Sequence, residues 1–221
     1  GMLIHYTIYI FNREIRKKYK ILNLHFDMEM MVRQVKLAAP QGLQEILVTG
    51  GFAVFYRILG IIGTLELATT EIVFTIMHAS FMPAIGVGQA CATLVGKYLG
   101  QNKPHIAEGV IWDSVRWALW IMGSMGMIFI LIPHLIIPFF TSDFGIISYG
   151  TNALRIVGLL QFADAVAITL WFALSGAGNT IFPGMVDGLL CWLIFLPGSY
   201  YFGVIMGMGF WGPWLFLCIY L

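Results

Sequence analysis

Long apolar stretches broken by short polar ones run through most of the chain. Five of them are long enough to cross a bilayer, at about 41–61, 66–96, 109–132, 146–174 and 184–204. A sixth opens near Trp211 and runs to the last residue. A membrane helix takes about 20 apolar residues, so each of the five predicts one span. Pro83, Gly86 and Gly88 fall inside the second stretch and predict a kink there. Ahead of the first span the pattern changes. Residues 13–20 are a basic cluster, and Met28, Met31, Val32, Val35 and Ala39 recur on one helical face behind Asp27, a residue suited to cap a helix. That segment, 13–40, predicts a basic and amphipathic linker at the membrane surface. Residues 1–12 read as the tail of a preceding membrane helix, and 41–221 as a transmembrane bundle whose end helices are both truncated.

Composition agrees with lipid as the solvent. The chain has 221 residues, 59% of them hydrophobic and 10% charged, with a mean hydropathy of +0.85. The expected class is therefore an all-α integral membrane protein. Seven of the twelve Lys and Arg residues lie between Arg13 and Lys36, and Lys97 and Lys103 follow the second span. The loops at about 62–65, 133–145 and 205–210 have neither residue. Cytoplasmic loops carry the excess of Lys and Arg, so 13–36 and 97–108 are expected on the inner side of a cell membrane. Trp112, Trp117 and Trp120, and again Trp211 and Trp214, fit interfacial belts. A net charge of +1 without an aromatic-interleaved basic surface gives no reason to expect nucleic acid. Cys91, Cys191 and Cys218 are far apart in apolar runs and read as small hydrophobes. No G-x-x-x-x-G-K-[ST] run is present, and no His/Asp or Ser/His constellation suggests an enzyme.

The chemistry sits in the polar groups inside the spans. An ionisable residue is costly there and points to function. Asp164 is 18 residues into the fourth stretch, past the midplane at about 1.5 Å per residue. Gln161 and Trp171 share its face, which suits a cation or proton site on a cavity. Glu71, with Thr75 and His78 on its stripe, is a second candidate. Glu45 is a third, on a stripe continued by Thr49 and Tyr56. Asp187 lies near the inner end of the fifth span. Arg155, nine residues into the fourth stretch, is expected to pair with a carboxylate, Glu71 or Glu66. Asp113 and Arg116 read as an ordinary helix-surface pair.

Several runs carry a resemblance. They are Pro40-Gln-Gly-Leu-Gln, Leu59-Gly-Ile-Ile-Gly-Thr-Leu-Glu-Leu-Ala68, Phe81-Met-Pro-Ala-Ile-Gly-Val-Gly-Gln-Ala90 and Leu94-Val-Gly-Lys-Tyr-Leu-Gly100. Gln161-Phe-Ala-Asp164, Leu174-Ser-Gly-Ala-Gly-Asn-Thr180, Leu196-Pro-Gly-Ser-Tyr and Gly207-Met-Gly-Phe-Trp-Gly212 follow in order. Together they resemble the second half of multidrug and toxic compound extrusion (MATE) transporters. The resemblance implies the C-terminal six-helix bundle of a twelve-helix transporter, with an N-terminal bundle as partner. It implies export of cationic or amphipathic drug-like compounds in exchange for H+ or Na+, with no cofactor and with membrane lipids around the chain. Asp164 stands where bacterial members carry a carboxylate on the tenth helix, so a Na+ site at Asp164 is among the implied options. Many members also carry a Glu within the seventh helix. Here that place is Val48, and Glu45 is one turn earlier, so Glu71 is an alternative coupling residue. The other reading is a lipid or oligosaccharide flippase of the same superfamily. Such a cavity needs several basic residues, and only Arg57 and Arg155 are available.

Overall fold

The computed structural model describes Phe11 and residues 27–221. The expected helix tail at 1–12, apart from Phe11, and the basic cluster at 13–20 lie outside the described residues. Residues up to Ala38 and residues from Ala39 onward form two units. In the first, Asp27 caps the start of a helix as expected: its Oδ1 accepts from the Glu29 and Met30 amides at 3.0 and 3.2 Å.

Every regular element among the described residues is helical. The helices are α1 (Met28–Ile62), α2 (Thr64–Gly100), α3 (Pro104–Leu131), the single turn α4 (Pro133–Ile136) and α5 (Phe144–Gly176). They are followed by α6 (Ile181–Ile205) and α7 (Trp211–Tyr220). Five of these, α1, α2, α3, α5 and α6, are long and apolar enough to cross a membrane. The expected amphipathic linker helix and first span both fall within Met28–Ile62 of α1, with Pro40 inside it. Pro83 likewise lies within α2, which runs as one helix from Thr64 to Gly100.

In lipid, burying apolar side chains gives helices little reason to associate, so close backbone approach and van der Waals contact must do it. Glycines supply that approach. A Cβ on Gly126 of α3 would lie 2.5 Å from the Gly158 carbonyl oxygen of α5, and one on Gly176 of α5 would lie 2.4 Å from the Ala92 oxygen of α2. Gly88 of α2 receives the Phe172 ring of α5 in the same way. These contacts tie α2, α3 and α5 into one group. A second group forms where Gly203 of α6 meets Pro213 of α7, and where Gly51 of α1 meets the Cys191 sulfur of α6. Between them Phe55, Phe74, Phe195 and Trp214 build an aromatic core, with Phe55 and Phe195 centroids 4.7 Å apart. Two stretches of α6, Cys191–Phe195 and Tyr201–Ile205, widen to π-helix on either side of Leu196–Tyr200. Pro197 in that middle stretch cannot donate a backbone hydrogen bond, a common cause of such irregularity.

The turn between α5 and α6 has a defined stop. Asn179 N donates to Leu174 O and Gly178 N to Ser175 O, both at 3.0 Å. Gly178 has φ +87°, the left-handed conformation that this helix ending requires.

Candidate functional site

The sequence-predicted residues fall into three settings. The first is buried. Gln161 and Asp164 lie on the side of α5 that faces the bundle, 0% and 5% exposed. Gln161 Nε2 donates to Ser80 Oγ of α2. Ser80 in turn donates to the Met77 carbonyl at 2.6 Å. Asp164 has no hydrogen bond or ion pair with another described residue. Ala84, Gly88, Ala118, Met122 and Gly126 are among the residues that α2 and α3 place against this part of α5. Trp171 is half-buried two turns on, its ring edge-on to Phe172 at 5.1 Å.

The second setting is exposed and polar. On α2, Glu71, Thr75 and His78 are all exposed, with spacing that puts them on one stripe. Thr75 hydroxyl donates to the Glu71 carbonyl at 2.8 Å. Half-buried Tyr56 of α1 packs edge-on to Phe74 at 5.9 Å, and His78 packs against the same ring at 6.3 Å. Glu45 and Thr49 are exposed on α1. These groups interrupt helices apolar enough to span, so in a bilayer the face they form must meet water or protein rather than lipid tails.

The third setting is a polar knot. Asp187 of α6 accepts from Gln44 Nε2 of α1 at 3.0 Å and from the Tyr220 hydroxyl of α7 at 2.5 Å. The carboxylate therefore joins three helices.

No recorded contact joins Asp164 to Glu71 or Glu45. The expected pairing of Arg155 with Glu71 or Glu66 is also not seen. Arg155 is exposed on the stripe of α5 that carries Asn152 and Leu159, whereas α5 meets α2 through Gly150, Gln161 and Phe172. Among the described residues the one ion pair is Asp113–Arg116 at 3.1 Å, the surface pair that their spacing implied. A groove of about 510 Å³ opens between α3 and α5, bounded by Arg116, Trp120, Met127 and Phe162, and it holds none of the candidate residues. Among the described residues no cluster of His, Cys, Asp and Glu could hold a metal by itself.

Sequence reasoning did not single out Ser80, Gln44 or Tyr220. Ser80 had a signal: Ser80, Ala84, Gly88 and Ala92 are small residues at every fourth position, the pattern of a close helix crossing. Gln44 and Tyr220 had none.

Five helices long and apolar enough to span, packed through glycine, define a multi-pass membrane protein. The MatE family model matches residues 40–201, and the chain belongs to that family. A probable multidrug resistance protein NorM from Thermotoga maritima is 33% identical over 182 residues, covering 82% of this chain and 39% of its own length. The transporter YisQ of Bacillus subtilis is 22% identical, covering 94% of this chain and 46% of its own. This chain therefore spans less than half the length of these relatives. A solved MOP superfamily transporter from Pyrococcus furiosus superposes with a TM-score of 0.77 over 85% of this chain and 41% of that one. At 14% identity that likeness shows the fold. MatE and the MOP superfamily are transporters rather than enzymes.

Proposed function

We propose that this chain is one six-helix half of a secondary active antiporter that exports cationic or amphipathic small molecules in exchange for H+ or Na+. A second, N-terminal bundle completes the cavity, and the polar face formed by α1 and α2 is turned toward it. The protein lies in the cell membrane with residues 13–36 and the 97–108 loop on the cytoplasmic side, as the distribution of Lys and Arg supports.

The observation that carries this reading is Asp164: a buried carboxylate inside a spanning helix with no partner among the described residues. Such a group is retained at a cost, and an exchangeable cation is what relieves it. Ionised Asp164 attracts a cationic compound. A proton or Na+ arriving from the outer side neutralises the acid and displaces the cargo. The two bundles then rock to reopen inward. Glu71 and Glu45, on the exposed stripes, supply further negative charge along the route, and Tyr56, Thr49 and His78 line it. Asp187 belongs to the inner end of the bundle.

The test is efflux by the intact transporter in proteoliposomes under an imposed H+ or Na+ gradient. Asp164→Asn is expected to abolish gradient-driven efflux. Efflux at the wild-type rate with the same gradient dependence would overturn the proposal.

A further inference from the structure

The geometry points to Gln161 as the second oxygen of the coupling-ion site, its amide held in a fixed orientation by Ser80 so that its carbonyl oxygen shares the bound proton or Na+ with Asp164. This rests on the reading of Asp164 as the ion carrier.

The argument begins with one hydroxyl proton. Ser80 Oγ donates it to the Met77 carbonyl at 2.6 Å. What Ser80 offers Gln161 is then a lone pair, and only the NH2 end of an amide can use a lone pair. Gln161 Nε2 does donate there. Turning the amide over would set two acceptors against each other unless the Ser80 hydroxyl gave up the Met77 carbonyl, so the bond to Met77 is what holds the orientation. The consequence is that Gln161 Oε1 is buried with no hydrogen-bond partner. Buried acceptors are nearly always satisfied, and one that is not calls for an explanation.

Asp164 is three residues on, a neighbour on the same helix face with Cβ atoms about 5–6 Å apart. Ionised, it too offers only acceptors. Ala84, Ala118 and Met122, the buried residues of α2 and α3 that cluster with Ala165 beside it, bring no donor, and Asp164 is in no ion pair among the described residues. Two acceptors on one turn without a donor repel each other, and two species resolve the deficit. A proton on Asp164 supplies an O–H that Gln161 Oε1 accepts. Alternatively, Na+, a small hard ion that prefers oxygen ligands, takes one oxygen from each side chain. A bulky organic cation needs only the negative charge of Asp164. Gln161 therefore favours the ion over the cargo at an acid that both use.

The experiment titrates Na+ alone at alkaline pH, and H+ alone, into the purified intact transporter. Ion binding is read as protection against thermal unfolding, and Asp164→Asn serves as the blank. Gln161→Leu is expected to weaken the Asp164-dependent binding about tenfold, the scale of one hydrogen bond to a charged group. Ser80→Ala frees the amide to turn its NH2 toward Asp164 and is expected to weaken ion binding to a similar degree. Ser80→Thr keeps the hydroxyl and should bind the ion more tightly than Ser80→Ala even though its extra methyl crowds the crossing, an outcome that loss of packing alone does not produce. If Gln161→Leu does not fold, Ser80→Ala and Ser80→Thr decide between them. Wild-type ion affinity in Ser80→Ala, with binding lost in Asp164→Asn, would overturn this inference and leave the proposed function standing. Equal binding by wild type and Asp164→Asn would remove the proposed function and this inference with it.

Discussion

Asp164 and Asp187 are the same residue in successive spanning helices, α5 and α6, and the fold treats them in opposite ways. Asp187 accepts from Gln44 and Tyr220, fixed donors on two other helices. Asp164 is given none among the described residues. Asp187 is half-buried and Asp164 buried, so burial alone would give the fixed donors to Asp164. Donor supply runs the other way. A carboxylate whose lone pairs are met by fixed donors is satisfied in one arrangement and ties that arrangement together. A carboxylate left short has to be satisfied by something that comes and goes.

The sharpest way to break this comparison is to remove each acid and read stability alongside transport. Asp187→Ala strands the Gln44 amide and the Tyr220 hydroxyl inside the bundle. An unmet buried donor costs about 1–3 kcal/mol, and with Gln44 buried but Tyr220 half-buried the loss in stability should fall within that range. Unfolding monitored in detergent should show it, and ion binding by the molecules that remain folded should be retained. Asp164→Asn should do the reverse: lose gradient-driven efflux while unfolding no earlier than wild type, because it removes an uncompensated buried charge. An Asp187→Ala protein that is fully stable but inactive would assign the coupling role to the wrong acid.

The sequence made some of this difference legible. The five spans follow from apolar length alone, because lipid demands helices of a set length, and their C-terminal ends lie within a few residues of those observed, whereas α1 begins at Met28, well before the first expected span. The start of α5 moved from about 146 to Phe144 because Asp143 caps it, accepting from the Gly145 amide at 2.7 Å. Asp164 stood out because a lone acid in a long apolar run is conspicuous. Its environment was not legible, because that depends on what other helices bring. Gln44 lies 143 residues from Asp187 and Ser80 lies 81 from Gln161, and no local pattern encodes either pairing. Arg155 shows the same limit: its depth in a span is legible, but the pairing with Glu71 or Glu66 is absent because α5 turns this side chain to its exposed stripe, away from its contacts with α2.

A smaller effect sharpens the picture of Asp187. Tyr220→Phe deletes one of its two donors and keeps the ring that stacks on Phe195 at 5.1 Å. The expected cost is about 1 kcal/mol. Combined with Asp187→Ala, the two losses should fall short of their sum, because the hydroxyl has nothing left to serve once the acid is gone. Strict additivity would show that the Tyr220 hydroxyl and Asp187 act separately, and the knot would no longer be the reason Asp187 is quiet.

The least effect is expected from the third kind of acid, one that has a partner but also has water. Asp113 meets Arg116 at 3.1 Å, and the two side chains are 69% and 75% exposed. Water already satisfies both ends, and holding two mobile side chains together costs entropy. Exposed pairs at this spacing contribute roughly 0.5 kcal/mol or less. Asp113→Ala should therefore shift the unfolding midpoint barely beyond error, and added salt should erase what shift there is. The result bears directly on Asp164 and Asp187. If Asp113→Ala proved as damaging as Tyr220→Phe, the presence of a partner would matter regardless of water. Counting fixed donors in the dry interior would then no longer distinguish an acid that holds helices together from one that waits for an ion.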